Sequence, residues 1–373
     1  MRYCTQCLIP STKPHISFDE RGTCSACQAS AQKTEALNGI NWADRAEEFE
    51  DLVAEAKAAK APYFDALVPV SGGKDSITQI HRLLGRGLRI LAVNVDYGIK
   101  TDIGKRNLEC IPKMGANLFV FTPEQIRHRE LVRLGFEDYG DPDLLSHTML
   151  HALPLRMALQ FNIPLAVLGE NSAFEYGGDA DIAASNQMTH AWFMKFAANN
   201  GMDAKFVSEK HGIPYEELVN YDYPKELESS STKAVFSSYY YNWDSEENLR
   251  IAKTYGFEEL GSPRQGTYRT YVGIDEKINR IHQYFKVLKF GYGRATDHAC
   301  EDIRNGLITR DEAKELVRKY DLEDLSEDYV QDFCHFIDIT PARFYEVMNA
   351  WRDETIWHKD NQGRRFIPGH LVD

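Results

Sequence analysis

The sequence predicts an α/β protein: a doubly wound parallel sheet with a small cysteine-bearing module before it and a helical region after it. Three observations lead there. Short apolar runs alternate with helically spaced apolar residues from about residue 64 to 260, the pattern of successive strand-helix-strand units. One strand-to-helix junction carries Ser71-Gly72-Gly73-Lys74-Asp75-Ser76. Four of the seven cysteines lie in two Cys-x-x-Cys pairs near the N-terminus. The expected divisions are residues 1–40, 41–260 and 261–373.

In chain order, Cys4-x-x-Cys7 and Cys24-x-x-Cys27 come first, with sixteen residues between the pairs. Each pair can present two thiolates to one tetrahedral ion, and zinc is the expected metal. Pro10, Pro14, Phe18, Asp19 and Gly22 supply turns but too few apolar groups to fold without a staple. Four protein thiolates leave no open coordination position, so the site is expected to be structural. A redox role for the pairs is the main alternative.

Trp42, Ala46, Phe49, Leu52, Val53 and Ala56 recur at helical spacing within 41–60 and predict an amphipathic helix. Strands are expected over 64–70, 88–95, 117–121 and 163–168. Helices are expected over 76–84, 103–114, 125–134 and 146–161. A further strand is read over 234–241. Asn242-Trp243-Asp244 then caps a helix over 245–255. The last third is mostly helical, with Ile278, Ile281, Phe285 and Leu288 on one stripe. Lys289-Phe290-Gly291-Tyr292-Gly293-Arg294-Ala295-Thr296-Asp297 interrupts that pattern. It is either an ordinary interhelical loop or a segment touching a pyrophosphate or sugar phosphate through Lys289 and Arg294.

The junction at 71–76 is the strongest chemical signal. The first N–H groups of a helix have no partner within it and point outward with the positive end of its dipole, so they suit a phosphate. Gly72 and Gly73 remove Cβ atoms from the approach. Lys74 adds a cation, Ser71 and Ser76 add hydroxyls, and Asp75 can hold magnesium. By chance, Ser-Gly-Gly-x-Asp-Ser is expected in fewer than about one chain in a thousand of this length. In such sheets ligands bind beyond the carboxyl ends of strands. That rule adds Asp96-Tyr97-Gly98 and Gly169-Glu170-Asn171, with Glu175 and Asp179 following. Glu170, Glu175 and Asp179 could share magnesium with Asp75.

A net charge of −13 argues against a broad nucleic-acid surface. No apolar run is long enough for a membrane span, and the first residues lack a secretory h-region. A cytoplasmic protein with thiols or metal-bound cysteines is expected.

The loop resembles the PP-loop of the ATP pyrophosphatases, whose fold is Rossmann-like and whose members cleave ATP between the α- and β-phosphates to adenylate a substrate oxygen. That resemblance implies ATP binding by Ser71, Gly72, Gly73, Lys74, Asp75, Ser76, Val95, Asp96, Gly169 and Glu170, with adenine at the Val95–Asp96 strand end. A wider set of motifs narrows it. These are Tyr3-Cys4-Thr5-Gln6-Cys7 with Asp19, Gly22, Cys24 and Cys27, then Val70 to Ser76, Gly169-Glu170-Asn171 with Glu175-Tyr176-Gly177-Gly178, Tyr241-Asn242-Trp243-Asp244, and Lys289 to Asp297. In that order they resemble the N-acetyl sugar amidotransferases of the WbpG and PseA type, which serve bacterial surface-polysaccharide synthesis.

This resemblance implies conversion of a sugar's acetamido group to an acetamidino group with ATP and Mg²⁺. Lys74, Asp75, Lys289 and Arg294 are the expected catalytic residues, and Asp75 and Asp179 the expected magnesium ligands. Cys110, Cys300 and Cys334 lack the glycine-flanked setting of a glutaminase nucleophile. Ammonia is therefore expected from a separate glutaminase subunit, and the resemblance implies a barrel-shaped channelling partner like that of histidine biosynthesis. The implied substrate is an acetamido sugar or nucleotide sugar, and neither nucleic acid nor membrane insertion is expected. A tRNA-thiolating enzyme of the same loop type is the competing enzymatic reading, and a zinc-stapled assembly module the non-enzymatic one.

Overall fold

The computed structural model describes residues 1–35, 41–172, 182, 185–197 and 201–371. Five parallel strands form the sheet: β1 (Ala66–Pro69), β2 (Ile90–Val95), β3 (Asn117–Phe121), β4 (Leu165–Leu168) and β5 (Lys233–Phe236), in the order β3-β2-β1-β4-β5. Every residue of β2 and β4 is buried, as expected of parallel strands covered on both faces. Edge strand β3 is more open and exposes Phe119 and Val120. Strand order reverses between β1 and β4. That switch point leaves a crevice at their carboxyl ends.

Before the reversal run α1 (Ser25–Glu35), α2 (Trp42–Ala58), α3 (Lys74–Leu84), α4 (Asp102–Leu108), α5 (Cys110–Met114), α6 (Gln125–Tyr139) and α7 (Leu144–Gln160). Then come α8 (His190–Phe196) and α9 (Ser245–Thr254), the latter capped by the Asp244 carboxylate accepting from Glu246 N and Glu247 N. The C-terminal region holds α10 (Ile278–Phe290), α11 (Arg294–Arg304), α12 (Arg310–Tyr320), α13 (Glu327–Ile337) and α14 (Pro341–Ala350). It ends in a two-residue ribbon, β6 (His358–Lys359) against β7 (Arg365–Phe366). No helix among the described residues is long and apolar enough to cross a membrane.

Two expected elements differ. The helix read over 103–114 is split into α4 and α5, because Pro112 has no N–H to donate to the Leu108 carbonyl. The strand read over 234–241 stops at Phe236, and Ser237–Tyr240 form a helical turn. Packing overrides the β-propensity of the tyrosines there: Tyr240 meets Phe49 of α2 at 5.1 Å, and Ser238 Oγ accepts from Asn171 N at 2.9 Å.

The sheet separates two cores. One face packs α2, α3 and α5 around Phe49, Ile77, Ile80 and Ile111. The other joins α6 and α7 to the C-terminal helices, with Phe136 touching Phe285, Phe333 and Phe344 at 5.2 to 5.3 Å between ring centres. Ile278, Ile281, Phe285 and Leu288 are all buried in that second core, so the expected stripe is the inward face of α10. A third cluster packs Cys4, Cys7, Leu8, Cys24 and Cys27 against Tyr292, Ala299, Cys300, Ala313 and Val317. The N-terminal module therefore rests on α11 and α12.

Candidate active site

Residues 71–76 join β1 to α3. Gly72 has φ +91°, and a Cβ there would lie 3.0 Å from Leu108 N and 3.2 Å from the Gly104 carbonyl. Glycine is thus required both by the backbone and by the packing of α4 behind the loop. Ser71 Oγ accepts from Gly73 N at 3.1 Å, and Ser76 Oγ donates to the Gly73 carbonyl at 2.9 Å. Helix α3 begins with no side-chain cap, which leaves its first amides for a ligand. Buried Lys74 donates its ammonium to both oxygens of Asp75 at 2.7 Å, and Asn248 Nδ2 of α9 donates to the same carboxylate at 2.8 Å.

This loop opens into a cleft of about 490 Å³, within the range that small-molecule sites occupy. Its floor is the switch point: Pro69 and Val70 from the end of β1, Leu168, Gly169 and Glu170 from the end of β4. His147 and His151 of α7 and Trp192 of α8 form one wall. The C-terminal region supplies the other through Asn279, His282, Gln283 and Arg294. Asn171 ties the floor to that first wall, since its Oδ1 accepts from Trp192 Nε1 at 2.9 Å.

Two smaller cavities share residues with the cleft. One, about 200 Å³, shares Ser71, Asp143, His147, Leu150 and Asn279 and adds Val95, Asp96, Lys100, Asp275 and Glu276. Burial first, then Asp143 and Asp275, push Glu276 up to about 8. The other, about 240 Å³, shares Gln283 and Arg294 and lies against the cysteine module. Lys13, Lys286, Arg294 and Arg304 face it with Asp297 as the carboxylate among them, a setting for an anion.

The histidines of the cleft are held differently. His147 and His151 approach each other through Nε2 at 3.3 Å, and His147 Nδ1 lies 3.7 Å from Asp143. Burial holds His151 neutral, well below its ordinary value. His282 Nδ1 instead pairs with the buried Asp141 carboxylate at 2.7 Å. Burial pulls His282 down, but Asp141, with Asp143 behind it, outweighs that and leaves the imidazole above its usual value. Asp141 is itself fixed at the end of α6, where its N–H closes on the Gly135 carbonyl at 2.8 Å.

Of the residues expected from sequence, Ser71, Asp75, Ser76, Gly169, Glu170 and Arg294 line the cleft, and Val95 and Asp96 the cavity beside it. At the strand end expected to hold adenine, the backbone amides are engaged within the protein: Asp96 N donates to the Phe121 carbonyl and Gly98 N to the Asp96 carboxylate. Lys289 does not line the cleft. It donates to the Tyr139 carbonyl at 3.0 Å and lies over the Trp351 ring, which places it at the C-terminus of α6 beside Asp141. Asp179 and Glu175 lie outside the described residues. Sequence reasoning missed His147, His151, Asn279, His282 and Gln283. The four-residue spacing of the first pair and the polar side of the α10 stripe were the available signals.

The four N-terminal cysteines come together, their sulfurs all within 4.8 Å of one another. Cys4 Sγ lies 4.0 Å from Cys27 Sγ and Cys7 Sγ 3.8 Å from Cys24 Sγ. A tetrahedral ion with Zn–S near 2.3 Å needs sulfurs roughly 3.8 Å apart, so the set fits such an ion. Backbone amides of Gln6, Ile9, Cys24 and Cys27 donate to these sulfurs, as thiolate ligands require.

Fold and site together define an α/β protein with a Ser-Gly-Gly-Lys-Asp-Ser loop opening an uncapped helix at the switch point of its sheet, and a helical C-terminal region forming the far wall of the cleft. Residues 265–368 match the family described as LPS biosynthesis protein WbpG-like, C-terminal domain. The matched segment contains the Lys289 to Asp297 motif. No curated protein matches the chain significantly. Among solved structures, NMN synthetase from Francisella tularensis is similar over 60% of this chain and 99% of its own, at 12% identity and a TM-score of 0.27, too distant to bear on fold or function.

Proposed function

We propose that the chain is an ATP-dependent amidotransferase that converts a sugar's acetamido group to an acetamidino group in surface-polysaccharide synthesis in the cytoplasm. The observation that carries this reading is the composition of one cleft. The loop at residues 71–76 opens into it, and its far wall, Asn279, His282, Gln283 and Arg294, comes from the segment that matches the WbpG-like C-terminal domain.

An amide carbon is a poor electrophile. Adenylation of its oxygen by ATP turns that oxygen into a leaving group and releases pyrophosphate at residues 71–76. The free amides of α3 and Lys74 then stabilise the charge that develops on the departing pyrophosphate. Lys74 rests on Asp75 without a ligand, and an incoming triphosphate draws the ammonium across and frees the carboxylate. Asp75, Asp143 and Glu170 are the acids that line the cleft, and of these Asp75 and Glu170 would hold magnesium, with Asp179 as a further candidate. That ion, when bound, would neutralise charge on the phosphates. Zinc is the proposed ion of the cysteine cluster, where it staples and does not react. The adjoining cavity of Lys13, Lys286, Arg294 and Arg304 would take an acidic or phosphate-bearing part of the sugar.

Ammonia then displaces AMP. Cys110, Cys300 and Cys334 are all buried, and burial raises Cys110 and pushes Cys334 up to about 11, which suits packing and not nucleophilic attack on glutamine. A separate glutaminase with a barrel-shaped channelling subunit is the proposed source of nitrogen.

The test is mass spectrometry after incubation with ATP, Mg²⁺, ammonium and a panel of acetamido sugars. Replacement of the amide oxygen by NH, with AMP formed in step, is the expected result. Lys74→Ala should lower AMP formation on the order of 10²-fold or more with the circular dichroism unchanged. Glutamine-dependent turnover by the purified chain alone would refute the separate glutaminase.

A further inference from the structure

We propose that His282, oriented by Asp141, is the proton carrier of this reaction, its Nε2 taking the proton from the substrate's amide nitrogen as the amide oxygen is adenylated. The proposal rests on the acetamido-to-acetamidino reading above.

The chemistry requires such a group. In the first step the amide oxygen bonds to the α-phosphorus, the bond to the bridging oxygen breaks, and pyrophosphate leaves with that electron pair. The amide nitrogen then sheds its N–H proton to give a neutral imidate, and His282 Nε2 accepts it. In the second step that proton returns to the imidate nitrogen as ammonia bonds to carbon. The carbon–oxygen bond breaks, AMP leaves with the pair, and the surplus proton of the former ammonia passes to Nε2 and on to water. One proton is released per turnover.

Geometry selects His282 among the cleft's histidines. His147 and His151 spend their Nε2 atoms on each other. His282 has Nδ1 committed to Asp141 at 2.7 Å, and Nε2 has no hydrogen-bond partner among the described residues of a ring that lines the cleft. This is the arrangement by which a carboxylate fixes one tautomer and supports the imidazolium that forms. The charged groups around the pair are Asp143 before α7, Lys286 and Lys289 on α10, and Arg294 opening α11. Gln79 and Gln283 also line the cleft, and each leaves a buried side-chain carbonyl oxygen without a partner. Unmet acceptors suit a ligand that brings N–H donors, as ammonia does.

The test follows AMP and amidine formation at constant free ammonia across pH. Its probes are UDP-linked mono- and diacetamido sugars and free acetamido nonulosonic acids. His282→Gln should lower kcat on the order of 10²-fold or more, leave KM for ATP unchanged, and remove the acid limb of the pH profile. Added imidazole should restore part of the rate. Asp141 acts through His282 as a positioning residue, so Asp141→Asn should shift that limb to lower pH, since the lost carboxylate no longer favours the imidazolium. Amidine formation by the wild type with His282→Gln equally fast and the limb in place overturns the proposal alone. Should His282→Gln fail to fold by circular dichroism, an unshifted limb in Asp141→Asn overturns it. No AMP from the wild type with any acetamido sugar overturns the amidotransferase reading and this proposal with it.

Discussion

Lys74 and Asp75 show how one residue pair can be set for a ligand before it arrives. A buried ammonium needs a counter-ion, and the neighbouring carboxylate supplies it at 2.7 Å, a place that phosphate would take in the proposed reaction. The same loop fixes Gly72 more strictly than phosphate approach alone would. At φ +91°, with Leu108 N 3.0 Å from any Cβ, alanine must strain the backbone and push α4 away. Gly72→Ala should cost about 2–3 kcal/mol. Urea denaturation measures it, and a loss within experimental error would show that loop and α4 can move apart freely. The cradle was legible because its residues are contiguous, and local sequence carries its geometry. The pair formed by Asp141 and His282 was not, because those residues meet across 141 positions through the docking of α10 on α6.

Elements were legible where a single cause governed them. β2, β3 and α9 lie where apolar pattern and the Asp244 cap put them. The α4–α5 break and the early end of β5 needed knowledge of a missing N–H and of distant packing. Helix α6 carries a further consequence that only packing reveals. His128 is enclosed between Tyr97, stacked at 5.1 Å, and Tyr221, whose hydroxyl is 3.0 Å from Nδ1. Burial, and then Arg129, hold it down to about 4. Between that value and the ordinary 6.5 the unfolded chain binds the proton and the folded chain does not, so stability falls as pH drops through this window. For one fully buried group the loss approaches about 3 kcal/mol. Urea denaturation at a series of pH values should show this slope, and His128→Gln should flatten it. An unchanged slope in the variant would assign the acid loss to His151, His298 and His370, whose values are also depressed by burial.

At the scale of the whole molecule, sequence placed the cysteine module, the sheet and the C-terminal helices in order but gave no sign of how the ends meet. Leu8 N donates to Cys300 Sγ at 3.3 Å, and Arg310 donates to the Cys7 and Cys4 carbonyls at 3.1 and 3.2 Å. These contacts span roughly 300 positions, beyond the reach of any local pattern. The consequence runs from the cysteine cluster to the cleft. An ion held by the four thiolates would fix a module with little apolar content of its own, and that module covers Ala299, Cys300, Ala313 and Val317 of α11 and α12. Helix α11 begins at Arg294, which lines the cleft. Chelation under reducing conditions should therefore lower the melting temperature by several degrees and increase amide exchange within 294–304 and 310–320, while β1 and β2 keep their protection. Under the proposed reaction it should also raise KM for the sugar more than KM for ATP, because the loop at 71–76 packs on α4 and α9 and not on the module. Hydrogen exchange with and without chelator separates the cases. Loosening confined to residues 1–27 would make the module an appendage, whereas loosening that reaches Arg294 makes the metal part of how the cleft keeps its shape.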